Sequence, residues 1–379
     1  MPKSPAHPPL PLSELRTWIP SDKIYRWLEE GDKKAAAFQE ELDDAGAGAI
    51  SDLFAGGGDD EDSSDASTSS EADYEGLDGR VLVWNSAGAG GGEDGDGDGD
   101  DVDGKGEKYR GVQLQDDDVT EDGSGSDGSV RVVYVKSDSW EGYGEMLWAS
   151  ARHLANLFAD PHKCRELLSP LWNHRQSSSS SSEGGSPHAQ RQHPLSGLRV
   201  LELGAGCGVP SLVALKRGAR VVCTDLDDAN RIRSIAESME LNRREISTKG
   251  GEKRYPEFGR SRACPFRWGE SSAAVAQALD PKGMEKFDVI CAADCLFMTH
   301  LHYDILRGID ELLAQDGVAI IAFAIHEAYS KDEEVWPFVD KAKEKGFDVE
   351  VMEGVQLTPP TKGMEAKQGL IHKLRMTRS

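Results

Sequence analysis

From about residue 195 to the C-terminus, short apolar runs alternate with stretches in which apolar residues recur every three or four positions. A buried parallel strand reads as a continuous apolar run, whereas a helix packed on one face repeats with a period near 3.6. Five runs fit the first description: 198–203, 220–224, 263–268, 287–293 and 318–325. Helical patterns separate them, at 228–241, 271–279 and 303–313, and a last helix at 332–345 is ended by Gly346. Two further runs, 347–351 and 369–374, read as a closing antiparallel pair. Together these elements predict a seven-stranded α/β sheet.

Upstream, 130–135 reads as a strand, 140–144 as a turn and 145–159 as an amphipathic helix. Leu147, Ala151, Leu154, Leu157 and Phe158 lie on one side of that helix, and Trp148 stands near its start. Between 43 and 128 the composition turns to Gly, Asp and Ser, which bury too little apolar surface to offset the entropy of ordering. Most of that segment is therefore expected to be disordered. Two islands interrupt it, 80–84 and 109–114, and with 130–135 they predict a small antiparallel flap. The domain scheme is an extension at 1–42, an acidic insertion at 43–128, and a folded domain at 129–379. The extension is proline-rich at its start, and Ser21-Asp22 is expected to cap a short helix carrying Ile24, Trp27 and Leu28. Polar insertions are expected inside the domain at 173–193 and 243–262.

Charge sharpens this division. The chain has a formal net charge of −24. Residues 40–127 hold 28 Asp/Glu against four Lys/Arg, so the acidity belongs to the insertion and the remainder is balanced. No basic face emerges, which argues against a nucleic-acid partner. The run Asp94-Gly95-Asp96-Gly97-Asp98-Gly99 imitates the start of a calcium loop. Lys105 stands where a bidentate Glu is needed, and no metal is expected. The six cysteines form no CxxC pair or zinc-like spacing, as in a reducing compartment. No apolar run approaches 18 residues, and no signal-peptide core is visible. A cytoplasmic monomer is the expectation.

The chemistry concentrates after the first of the five runs. Val200, Leu201 and Leu203 lead into Gly204-Ala205-Gly206-Cys207-Gly208, then a helix-like segment, then a strand closed by Asp225. Strand, glycine turn, helix, strand and acid make up a nucleotide-cofactor half-site. Dinucleotide turns want G-x-G-x-x-G; here the spacing is G-x-G-x-G, and Val209 takes the third-glycine position. Glu202, two residues before Gly204, suits the cationic amino end of S-adenosylmethionine and would repel a pyrophosphate. Asp225 is placed to accept from both ribose hydroxyls. At the carboxyl end of the fourth run, Asp294 and Phe297 suit methyl transfer to an amine. The carboxylate accepts from the amine, and the ring walls off solvent and faces a cationic product. His300, His302 and His326 are further candidates for the acceptor pocket.

Trp148, Leu201–Gly208, Thr224-Asp225, Trp268-Gly269 and Ala293–Phe297 resemble the seven-strand protein-lysine methyltransferases, methyltransferase family 16. The resemblance covers roughly 130–379 apart from the polar insertions. It implies the Rossmann-like seven-stranded sheet of class I S-adenosylmethionine-dependent methyltransferases. It also implies cofactor contacts at Trp148, Gly204, Ala205, Gly206, Asp225, Trp268 and Ala293. Together with Glu202 and Gly208 of the glycine run, these are the expected cofactor residues, with Asp294 and Phe297 as the catalytic pair. Gly144–Trp148, Val209–Val213, Arg267–Gly269 and Phe297 with the following histidines look most like the nicotinamide N-methyltransferase-like branch. Members of that branch methylate the N-terminus and a lysine of translation elongation factor 1-alpha. The paired histidines and proline that the branch carries after the fifth strand are missing from Phe323–His326. The alternatives are a calmodulin-lysine methyltransferase, a small-molecule N-methyltransferase and a non-catalytic S-adenosylmethionine-binding adaptor.

Overall fold

The computed structural model describes residues 81–86, 107–108, 130–135, 147–178, 193–248, 260–325, 331–356 and 370–379. The short helix expected near Ser21, the turn at 140–144, most of the acidic insertion and His326 lie outside them. Three N-terminal strands come first: β1 (Val81–Asn85), β2 (Glu107–Lys108) and β3 (Arg131–Val135), in the antiparallel order β2-β1-β3. A small antiparallel flap is present, built from β1, Glu107–Lys108 and β3, and the strand expected at 109–114 lies outside the described residues. Trp84, Val132 and Tyr134 bury themselves in the main core, so the flap is part of the folded body.

The main sheet contains β4 (Arg199–Leu203), β5 (Arg220–Asp225), β6 (Arg262–Pro265), β7 (Phe287–Ala293), β8 (Leu313–Phe323), β9 (Phe347–Gln356) and β10 (Leu370–Arg378). Its order is β6-β5-β4-β7-β8-β10-β9. β4 to β8 pair in parallel, and β10 runs antiparallel between β8 and β9. This is the expected seven-stranded, Rossmann-like α/β fold. The strand order reverses between β4 and β7. Right-handed crossovers therefore send the helices of the two halves to opposite faces and open a crevice at the carboxyl ends of β4 and β7. At the far end, the Arg199 guanidinium grips the buried Asp288 through two bonds of 2.9 and 2.8 Å and pins β4 to β7.

The helices are α1 (Ala149–Ala159), α2 (Pro161–Leu167), α3 (Ser169–Ser178), α4 (Val209–Lys216), α5 (Ala229–Thr248), α6 (Ala273–Leu279), α7 (His302–Leu312), α8 (Asp332–Val335) and α9 (Pro337–Glu344). Several bounds differ from the sequence reading. Trp148 has extended backbone (φ −65°, ψ 152°), so α1 starts at Ala149 rather than at 145. Helix also enters both polar insertions, to Ser178 and to Thr248. Periodicity missed these stretches because their polar residues give little hydrophobic contrast. Pro337 divides the single helix expected at 332–345, since its ring cannot continue the N–H ladder. β8 begins five residues earlier than expected, directly after α7.

Candidate functional site

A cavity of about 460 Å³ lies at the carboxyl ends of β4, β5 and β7, where the sheet reverses its order. The glycine turn forms its floor. Gly204 has φ +62°, and a Cβ there would stand 2.8 Å from the Cys295 sulfur and 2.9 Å from the Trp268 ring. Backbone conformation and close approach both exclude a side chain at this point. The turn is tied internally: Ala205 N–H donates to Thr224 O at 2.9 Å, and Gly208 N–H to Ala205 O at 2.8 Å. Gly206 N–H donates to the Asp225 carboxylate at 2.6 Å.

Asp225 closes β5 and is 6% exposed. Its Oδ1 accepts from Leu226 N–H at 2.7 Å and from the Arg231 guanidinium at 2.9 Å. Arg231 lines the cavity and, like its partner, is almost fully buried, so this ion pair fixes the carboxylate's orientation. Arg231 was missed in the sequence. The signal was a cation one helical turn inside α5, whose N–H is capped by Asp228 at 2.8 Å. Phe266, Leu147, Cys295 and Met298 also line the cavity, although the sequence reading did not name them as site residues.

Asp294 follows the last residue of β7 and has φ +51°, the one positive value at a non-glycine among the described residues. A left-handed Asp costs about 1 kcal/mol. Among the described residues, three bonds hold it there. Its N–H continues the ladder to Ala322 O at 2.8 Å. Its Oδ1 accepts from Ala324 N–H at 2.8 Å, and its Oδ2 from the Ser150 hydroxyl. The carboxylate thereby joins the end of β7 to the end of β8 and to the first turn of α1.

Trp148, Gly204, Ala205, Gly206, Asp225, Trp268, Ala293, Asp294 and Phe297 all line this one cavity. Two expected cofactor residues do not. Gly208 lies past the turn as the left-handed cap of α4. Glu202 points behind the turn, 1% exposed, and accepts from Ser211 N–H in the first turn of α4 at 3.0 Å. Strand alternation sends it to the α4 side of the sheet, where it meets the positive end of that helix instead of a ligand. Burial pushes its carboxyl up to about 7, and the nearby Asp225 adds to the shift. Among the histidines, His300 is exposed on the cavity rim. His302 is fully buried, 2.8 Å from Leu296 O through Nε2 and edge-on to Phe338, so it braces the loop after β7.

All six cysteines are buried, and none is in a disulfide. Among the described residues, no group of acidic, His and Cys side chains is arranged for a metal, and no helix is long and apolar enough to cross a membrane.

Comparison with known proteins bears on the same region. The model of a family described as lysine methyltransferase matches residues 130–344. A Gibberella zeae protein named protein N-terminal and lysine N-methyltransferase EFM7 is 32% identical over 170 residues, or 43% of this chain. The match spans 62% of that relative's length. The Eremothecium gossypii protein of the same name is 30% identical over 192 residues, covering 50% of this chain and 69% of the relative. Among solved structures, a TehB-like SAM-dependent methyltransferase from Corynebacterium glutamicum shows 18% identity at a TM-score of 0.31, covering 56% of this chain and 99% of that one. That likeness is too loose to bear on function.

Proposed function

Since the chain belongs to the lysine methyltransferase family, we propose that it is an S-adenosylmethionine-dependent protein methyltransferase acting on a lysine side chain or an N-terminal amine. One observation carries the reading. Two buried carboxylates, Asp225 and Asp294, end the strands on either side of β4 and face one cavity walled by Trp148 and Trp268.

The donor set suits this cofactor better than a nucleotide phosphate. The N–H groups of Ala205, Gly206 and Gly208 are committed inside the fold, and the Arg231 guanidinium is paired with Asp225. Carboxylates and indole faces favour a cationic ligand, and the volume is that of a small-molecule site. When bound, S-adenosylmethionine supplies a methyl group on a sulfonium. The chain's own residues do the rest. Asp225 receives the ribose hydroxyls, while Trp148, Phe266 and Trp268 give apolar walls. Asp294 accepts a hydrogen bond from the neutral acceptor amine and orients its lone pair. Phe297 and Met298 exclude water and present a surface to the cationic product.

The acceptor proposed is a protein amine, with translation elongation factor 1-alpha as the first candidate from the branch resemblance. The names of the relatives, which specify N-terminal and lysine methylation, support a protein amine as the acceptor. The test adds labelled S-adenosylmethionine to the protein with recombinant elongation factor 1-alpha and with hypomethylated cell lysate. Label on the factor is expected. Label confined to calmodulin or to the small-molecule fraction would move the substrate assignment. Cofactor binding with no labelled product would leave an adaptor and overturn the catalytic reading.

A further inference from the structure

We propose that Ser150 is a positioning residue for methyl transfer, acting through Asp294. This rests on the reading of Asp294 as the group that receives the acceptor amine. Ser150 is fully buried, lies in the first turn of α1 and donates its hydroxyl to Asp294 Oδ2. Its neighbours Trp148 and Ala151 both line the cavity, so one helical turn supplies cavity wall and carboxylate clamp together.

Geometry explains why a clamp is needed. A carboxylate on a left-handed residue can rotate about χ1 and χ2 unless both oxygens are held. Ala324 N–H fixes Oδ1 from β8, and the Ser150 hydroxyl fixes Oδ2 from α1. With two donors on different elements, the carboxylate plane is set before any ligand arrives. Preorganised acceptors of this kind contribute to the rate because they need no reorganisation in the transition state. A misplacement of about 1 Å costs on the order of a hundredfold in rate.

The test compares wild type, Ser150→Ala, Asp294→Ala and the double variant. Removing one buried hydroxyl leaves the volume of the site nearly unchanged, so the serine variant should fold. Methyl incorporation from labelled S-adenosylmethionine into hypomethylated lysate protein gives the turnover, and calorimetry gives cofactor affinity. Ser150→Ala should lower turnover about ten- to a hundredfold and leave the cofactor Kd within about twofold. In the Asp294→Ala background, the serine substitution should cost nothing further, because the group it positions is gone. In ligand-free protein, the urea midpoint of the double variant should fall no lower than that of the weaker single variant. Wild-type turnover in Ser150→Ala, or a further loss on adding it to Asp294→Ala, overturns the proposal. Full turnover in Asp294→Ala, or none in the wild type, overturns the reading of the acceptor site and this inference with it.

Discussion

At the scale of single residues, charge and backbone conformation decide what the glycine turn can hold. Glu202 illustrates this best, because the sequence offers it as a ligand and the fold buries it against α4. Its raised carboxyl near pH 7, against 4.5 in an unfolded chain, favours the protonated native state. The resulting stability is fully present below about pH 4.5 and is lost as pH rises through 7, by about 3 kcal/mol at most. Glu202→Gln should abolish that decline, as urea denaturation at pH 5 and pH 8 would reveal. Gly204→Ala adds a methyl group against Cys295 and Trp268 at a left-handed residue. A loss of about 2 kcal/mol or more is expected, with weakened cofactor binding by calorimetry. Asp225→Ala should abolish detectable heat with S-adenosylmethionine while the protein stays folded by circular dichroism. The glycine spacing and both aspartates were legible in the sequence, since each closes an apolar run. Arg231 was not, because a cation in a polar helix turn shows its role only once its partner lies 2.9 Å away.

Among elements, the seating of β3 on α5 joins the flap to the body. β3 is an edge strand, and its backbone would otherwise present unpaired groups. Asn242 accepts from Val133 N–H at 3.1 Å and donates to Val133 O at 2.6 Å, and the Ser238 hydroxyl accepts from Val135 N–H at 2.8 Å. Helix side chains thus replace a missing neighbour strand. Asn242→Ala should strand two buried backbone groups and cost about 2 kcal/mol. Hydrogen exchange at Val133 and Val135 should quicken well before the core strands respond. The apolar run predicted β3, but only the packing reveals what covers its edge. Most helix and strand centres were similarly readable, whereas ends governed by proline, by an extended Trp148 or by polar helix turns were not.

For the whole molecule, two imidazoles buried away from the cavity weaken the fold in acid. His153, on α1 and near Lys373 of β10, is lowered to about 4, chiefly by burial and then by that lysine. His193 is lowered to about 3, again mainly by burial. Both are bases with depressed native values, so the unfolded chain binds more protons once pH falls below about 6.5. Stability is present above that pH and is lost as it falls toward 4 and 3. His153→Gln should flatten the upper part of this loss, as measured by urea midpoints between pH 7 and pH 4. The acidic segment poses a separate question. Because β1 and β2 hold Val83 opposite Glu107, a tight turn can replace residues 88–105 without disturbing the ladder. That replacement should leave cofactor affinity within about twofold. Deleting all of 43–128 is a poorer test, since it removes Trp84 from the core.

The sequence by itself determined the sheet, because buried parallel strands and amphipathic helices write their periods into the chain. It also determined the cofactor half-site, because G-x-G-x-G between a strand and a helix, with an acid closing the next strand, satisfies local steric demands. Only the tertiary structure decided which of those groups face the cavity. Glu202 and Gly208 share the motif with Gly204 and Gly206, yet the pleat of β4 and the start of α4 turn them away. Ser150 and Asp294 stand 144 positions apart and meet only when α1 packs over the end of β7. Local pattern fixes elements, whereas convergence of groups distant in sequence depends on how the elements pack.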